Sequence, residues 1–162
     1  MATQMVRSSG AIAAVTCTLS GLAYTAGRET EAVVISNTAD DYQAIFKFTT
    51  TTGSHAGDFA VYVYACPSPT GTVWPTPAAG TDAAIVITTA SNQLKGPIVV
   101  AAFGTSATGL AQQIVVVPSL RQCLGGELPS KVTFAIQNNC CILDPAGSQS
   151  VSVVPIWYTV TT

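Results

Sequence analysis

One histidine, His55, and five cysteines, Cys17, Cys66, Cys123, Cys140 and Cys141, are the residues with which this chain could do nucleophilic or metal chemistry. A Cys/His dyad needs the imidazole beside one particular thiol so that it can take the proton. His55 instead lies in Gly53-Ser54-His55-Ala56-Gly57, which reads as a hairpin turn, and no cysteine is tied to it by a local signature. A structural zinc site needs four nitrogen or sulfur ligands at short spacings, and the chain has no CxxC and a single His. The carboxylates are equally sparse in pattern. Asp40-Asp41 reads as turn chemistry before a strand and Glu29/Glu31 as a solvated turn. A glycosidase would have to bring two such groups together across a sugar, on a platform resting mainly on Trp74 and Trp157. GxGxxG, GK[ST], HExxH and GxSxG are all missing, and Gly104-Thr105-Ser106-Ala107-Thr108-Gly109 is a polar turn without the lysine of a phosphate cradle. The expectation is a protein with no catalytic residue, no metal and no cofactor: not an enzyme.

The elements that position these residues read as strands. Val15, Cys17 and Leu19 alternate with Thr16, Thr18 and Ser20, the period of a half-buried strand. Segments 31–36, 43–50, 58–66, 83–88, 98–103, 110–117, 131–138 and 150–160 are rich in Val, Ile, Thr, Tyr and Phe, and Gly, Pro, Ser, Asn and Asp separate them. In 131–138 the apolar Val132, Phe134 and Ile136 face one way. Segment 58–66 is apolar on both sides, which places it centrally in its sheet. Pro155 cannot donate to a ladder, so an edge strand or a bulge is expected there. Only 27–31, as a short turn, and 119–124, between Pro118 and Gly125-Gly126, could be helical. The pattern is that of an all-β protein, a single antiparallel β-sandwich of about eight to nine strands spanning residues 11–162, preceded by a flexible arm at 1–10 that shows no strand alternation.

Composition bounds the partners. The 162 residues carry 6 Lys+Arg and 8 Asp+Glu, a formal net charge of -2 without a basic run, which removes the footprint of a nucleic-acid or anionic-membrane binder. No stretch approaches the roughly 18 apolar residues of a membrane span. Only 9% of residues are charged, so the surface must be Thr, Ser, Asn, Gln, Ala and Gly. Such a surface gives a solitary molecule little colloidal repulsion, and an oligomer or a larger assembly is the natural way to cover it. The odd cysteine count, with Cys140 and Cys141 adjacent, favours free thiols in a reducing compartment. A secretory signal in 7–26 is the alternative, opposed by Thr16, Thr18 and Ser20 breaking its apolar region.

Three stretches together resemble a family of small tailed-bacteriophage virion proteins. They are Gly27-Arg28-Glu29-Thr30-Glu31 running on to Phe48; Ala60-Val61-Tyr62-Val63-Tyr64-Ala65-Cys66 with the Pro-Ser-Pro-Thr-Gly-Thr-Val-Trp that follows and Gly80-Thr81-Asp82-Ala83-Ala84-Ile85; and a third from Ser119-Leu120 through Leu124-Gly125-Gly126-Glu127-Leu128-Pro129-Ser130-Lys131 to Gln137-Asn138-Asn139, with the Val-Val-Pro-Ile-Trp-Tyr-Thr-Val tail. The chain departs from that pattern at Asn139-Cys140-Cys141, where a small polar turn with Gly is expected. The resemblance implies a jelly-roll-like sandwich and a virion component, assembled in the host cytoplasm, that decorates and cements a capsid. Its partners would be the major capsid protein or other virion proteins and copies of itself, a trimer being favoured because decoration proteins commonly sit at three-fold positions. A tail, neck or fibre-base component is the alternative within the virion; a carbohydrate-binding β-sandwich module is the alternative from another class. The expected interaction residues are Arg7 in the arm, and Trp74 with Pro75 in the loop 67–82, where four prolines reduce the entropy lost on docking and a tryptophan offers a large apolar contact.

Overall fold

A computed structural model describes residues 4–51, 59–87, 94, 96–103 and 110–161. Its elements are β1 (Gln4–Ser9), β2 (Ala13–Val15), β3 (Gly27–Glu29), β4 (Val33–Val34), β5 (Asp41–Thr49), β6 (Ala60–Ser68), β7 (Ala84–Ile85), β8 (Val99–Ala102), β9 (Gln112–Val117), α1 (Leu120–Cys123), β10 (Lys131–Asn139) and β11 (Ser150–Thr161). The readings of His55 and of the turn 104–109 lie outside the described residues.

All strand pairing is antiparallel and forms two sheets, one ordered β1-β11-β5-β9 with β2 also on β11, the other β7-β3-β10-β6-β8 with β4 also on β10. The sheets pack face to face as an all-β sandwich. Alternation puts Ala44, Phe46 and Phe48 of β5, Val151 and Val153 of β11 and Val117 of β9 on one inner face, against Val61 and Val63 of β6 and Val132, Phe134 and Ile136 of β10 on the other. Phe46 meets Phe134 edge to face across the interlayer, with centroids 5.1 Å apart, and stacks on Phe48 at 6.4 Å.

Several expectations need correction. The turn expected at 27–31 is extended: Gly27, Arg28 and Glu29 form β3, paired with Gln137, Ile136 and Ala135. The half-buried strand expected at 15–20 ends at Val15, and the chain beyond it runs irregularly to residue 26. Gln4–Ser9, within the stretch read as a flexible arm, is a strand, paired from Gln4↔Thr161 to Ser9↔Ile156. Every residue of β1 is exposed on both faces, so no alternation marks it in the sequence.

Pro155 lies neither in an edge strand nor at a break in the β5–β11 register, since β11 runs between β5 and the β1/β2 pair and Pro155 pairs with Tyr42. The missing donor is accommodated differently. Pro155 O accepts from Gly10 N at 2.9 Å, so the proline nitrogen also points toward the N-terminal strands, where β1 has ended and β2 has not begun. Gly10 is required there, because a Cβ would lie 2.8 Å from Pro155 Cγ and 2.9 Å from the Trp157 ring.

The short helix follows its sequence signals. Ser119 caps it by accepting from Gln122 N at 3.0 Å, and Gly125 and Gly126 close it with φ of 90° and 101°. Buried Leu120 anchors it, and Arg121 N donates to Asp41 Oδ1 at 2.9 Å.

Candidate functional site

The loop after β6 is held down by two carboxylates, one from β3 and one of its own. Glu29, fully buried on β3, accepts from Ala79 N at 3.0 and 2.9 Å and from Thr81 N at 2.8 Å. Asp82 is gripped by Arg28 Nε at 2.6 Å, by the Thr18 hydroxyl at 2.6 Å and by Thr18 N at 3.1 Å, while Arg28 Nη2 donates to the Asp82 carbonyl at 3.0 Å. Burial alone would raise the Asp82 carboxyl, but the hydrogen bonds from Arg28 and Thr18 outweigh it and hold the pKa at about 2. The loop is therefore stiffened twice, by its prolines and by this clamp.

Within the loop, Trp74 is half-buried and lies so close to Gly80 that a Cβ there would sit 2.4 Å from Trp74 Cζ2. Gly80 also has φ of +77°, a conformation that glycine adopts without strain. Trp74 and Pro75 line an apolar cavity of about 330 Å³ together with Pro67, Pro69, Ile98 and Leu124. Through Pro67, Pro69 and Leu124 this cavity adjoins a second of about 260 Å³, and through Glu127, Leu128, Pro129 and Ser130 the second adjoins an open cleft of about 960 Å³. One continuous surface thus runs from the proline loop to the segment after α1. Ser130 Oγ joins the two walls by donating to Pro69 O at 2.5 Å.

The three sequence-predicted interaction residues are not brought together. Trp74 and Pro75 share the apolar cavity, whereas Arg7 is exposed on β1, opposite Tyr158, and lines none of the cavities described. The sequence reading missed Glu29 and Asp82 as loop clamps, because nothing local in a Gly-Arg-Glu turn or a Thr-Asp step points to a partner 50 to 64 residues away. It also missed the reach of the surface across Glu127 to Ser130, which depends on the β6–β10 pairing that sets Lys131 opposite Ser68.

The surface is mixed in chemistry. Its cleft is lined by Arg121 and Lys131 against the single carboxylate of Glu127, with Ser36, Asn37, Thr70 and Thr72 as uncharged polar groups. Cys123, exposed at the end of α1, borders the apolar cavity, and partial burial, then the charge of Asp41, pushes its thiol pKa up. All five cysteines are unpaired; burial pushes Cys17 and Cys66 up to about 12 and raises Cys140 as well. Among the described residues no three His, Cys, Asp or Glu side chains gather at metal-binding spacing, and no helix is long and apolar enough to cross a membrane.

The departure at Asn139-Cys140-Cys141 is held by one buried side chain. Asn138 Nδ2 donates to the carbonyls of Leu22, Ala23 and Cys141, and its Oδ1 accepts from Cys140 N at 3.1 Å, which satisfies the amide and fixes the turn without glycine.

No protein-family model matches the chain, and no curated protein matches its sequence.

Proposed function

We propose that the chain is a non-enzymatic structural protein of a phage virion, a jelly-roll decoration protein that braces the shell of the major capsid protein by surface complementarity. The observation that carries this reading is the strand order. With β1/β2 and β3/β4 each taken as one interrupted strand, β1/β2-β11-β5-β9 faces β3/β4-β10-β6-β8, with β7 a two-residue addition at one edge. The chain changes sheet between successive strands except from β6 through β7 to β8, and this alternation supports the jelly-roll reading, in which two Greek keys interleave.

Jelly rolls serve shells, lectins and other roles, so the surface has to choose among them. Charge depletion, an exposed N-terminal strand and a clamped proline loop beside a composite cleft all suit lasting contact with other protein surfaces. A carbohydrate-binding module would need polar side chains beside its tryptophan to bond sugar hydroxyls, and the cavity that Trp74 lines is walled by apolar residues such as Pro67, Pro69, Pro75, Ile98 and Leu124. The mechanism is mass action: a protein that binds only the assembled shell lowers the free energy of that state, and many copies sum small increments.

Quantitative mass spectrometry of purified intact particles tests the reading. The expected result is this chain in fixed, repeated stoichiometry with the major capsid protein. Its absence from particles, or specific binding on a glycan array by protein that does not associate with shells, would overturn it.

A further inference from the structure

We propose that β9 is a self-association edge at which two copies of the chain pair antiparallel about a two-fold axis centred on Ile114. The β5–β9 register is continuous from Ala44↔Val117 to Thr49↔Gln112, and one residue further on Thr50 N donates to Ala111 O at 2.9 Å. Backbone groups alternate sides along a strand. Those of Ala111, Gln113, Val115 and Val117 therefore face β5, and those of Gln112, Ile114 and Val116 face away from it. Among the described residues none bonds to these outward groups.

The side chains of the same three residues are on the solvent face, with Ile114 59% and Val116 46% exposed. An open edge of this kind is a template for another strand unless it is short, charged, bulged or covered. The other sheet edges carry such protection or are brief: β1 carries Arg7, β7 has two residues and β8 has four. β9 has six residues, Gln-Gln-Ile-Val-Val-Val, and no charge.

The occupant follows from the edge itself. In antiparallel pairing about Ile114, that residue opposes its own copy and Gln112 opposes Val116 of the other molecule, so every outward N–H meets a C=O in roughly six hydrogen bonds. The next pair sets exposed Leu110 against exposed Pro118, whose missing N–H ends the ladder. No like charges meet across the axis, and each copy presents the same patch, as a closed two-fold contact demands. The area is modest: stable interfaces use about 20–30 residues a side. The contact is therefore concentration-dependent for free molecules and suited to an assembly that repeats it. It does not depend on the virion reading, since a dimer without capsid affinity leaves it intact.

The test is analytical ultracentrifugation of the full chain over a concentration series, with Ile114→Lys, Ile114→Glu and their equimolar mixture. Like charges placed opposite each other repel, whereas opposite charges attract. The wild type is expected to form dimers, each variant alone to raise the dissociation constant at least about tenfold, and the mixture to restore dimers. Circular dichroism checks the fold, and if either variant fails to fold, Gln112→Lys/Val116→Lys, Gln112→Glu/Val116→Glu and their equimolar mixture repeat the test, because residues 112 and 116 oppose each other across the axis. A wild type that stays monomeric, a trimer indifferent to these substitutions, or a mixture that stays monomeric would overturn the proposal.

Discussion

Glu29 and Asp82 do at the loop what a disulfide or metal does in many small domains: each ties a distant segment to the sheet through one carboxylate. Replacing Glu29 with Gln turns charge-assisted bonds into neutral ones and brings an amide N–H₂ against Ala79 N–H. The expected cost is about 1–3 kcal/mol in urea unfolding. For Asp82 the sign is set by its depressed pKa. Its contribution is fully present above the ordinary value of 3.8 and is lost as the pH falls from there to about 2. Unfolding midpoints measured across that interval should fall more steeply for the wild type than for Asp82→Asn, and equal slopes would remove the clamp from the account. The thiols give a second check at this scale. Five should be alkylated after denaturation without reductant, and in the native protein Cys123 should react first, because it is exposed while Cys17 is half-buried and Cys66, Cys140 and Cys141 are buried.

Strands that bury one face announce themselves. The alternation in β10 and the two-sided apolar run of β6 could be read from sequence because Val132, Phe134 and Ile136 must reach the core and because β6 has neighbours on both sides. β1 could not, since its side chains are exposed throughout and its place is set by the backbone of β11. β3 could not either: Gly27 pairs with both Gln137 and Ile85, and a Cβ there would come within 2.6 Å of Ile85 O, so its glycine marks a close approach that reads as a turn. Of the candidate surface, Trp74 and Pro75 were legible from loop composition, while the contribution of Glu127 to Ser130 needed the long-range register. Two substitutions probe these elements. Gly10→Val should displace β1 from β11, seen as accelerated amide exchange at Gln4–Ser9 with β5 and β10 still protected. Gly80→Ala forces a Cβ both into a positive-φ backbone and onto Trp74, and should destabilise the protein by about 1–2 kcal/mol or more.

At the scale of the whole molecule, a full sandwich core lies under a surface with few charges, and the surfaces proposed for partners are the uncharged β9 edge and the composite surface around Trp74. A brace has to bind without reorganising, and clamping the loop before contact reduces the entropy lost on docking. Trp74→Ala should therefore leave the fold intact by circular dichroism and lower occupancy on stripped capsids at least about tenfold. The bracing role itself is tested most directly by heating particles that carry the protein beside particles assembled without it and recording the temperature at which the genome is released. The account requires release at a lower temperature from the particles that lack it, with the difference abolished when purified protein is added back. Identical release temperatures, with the protein present in full stoichiometry on the first set, would contradict it.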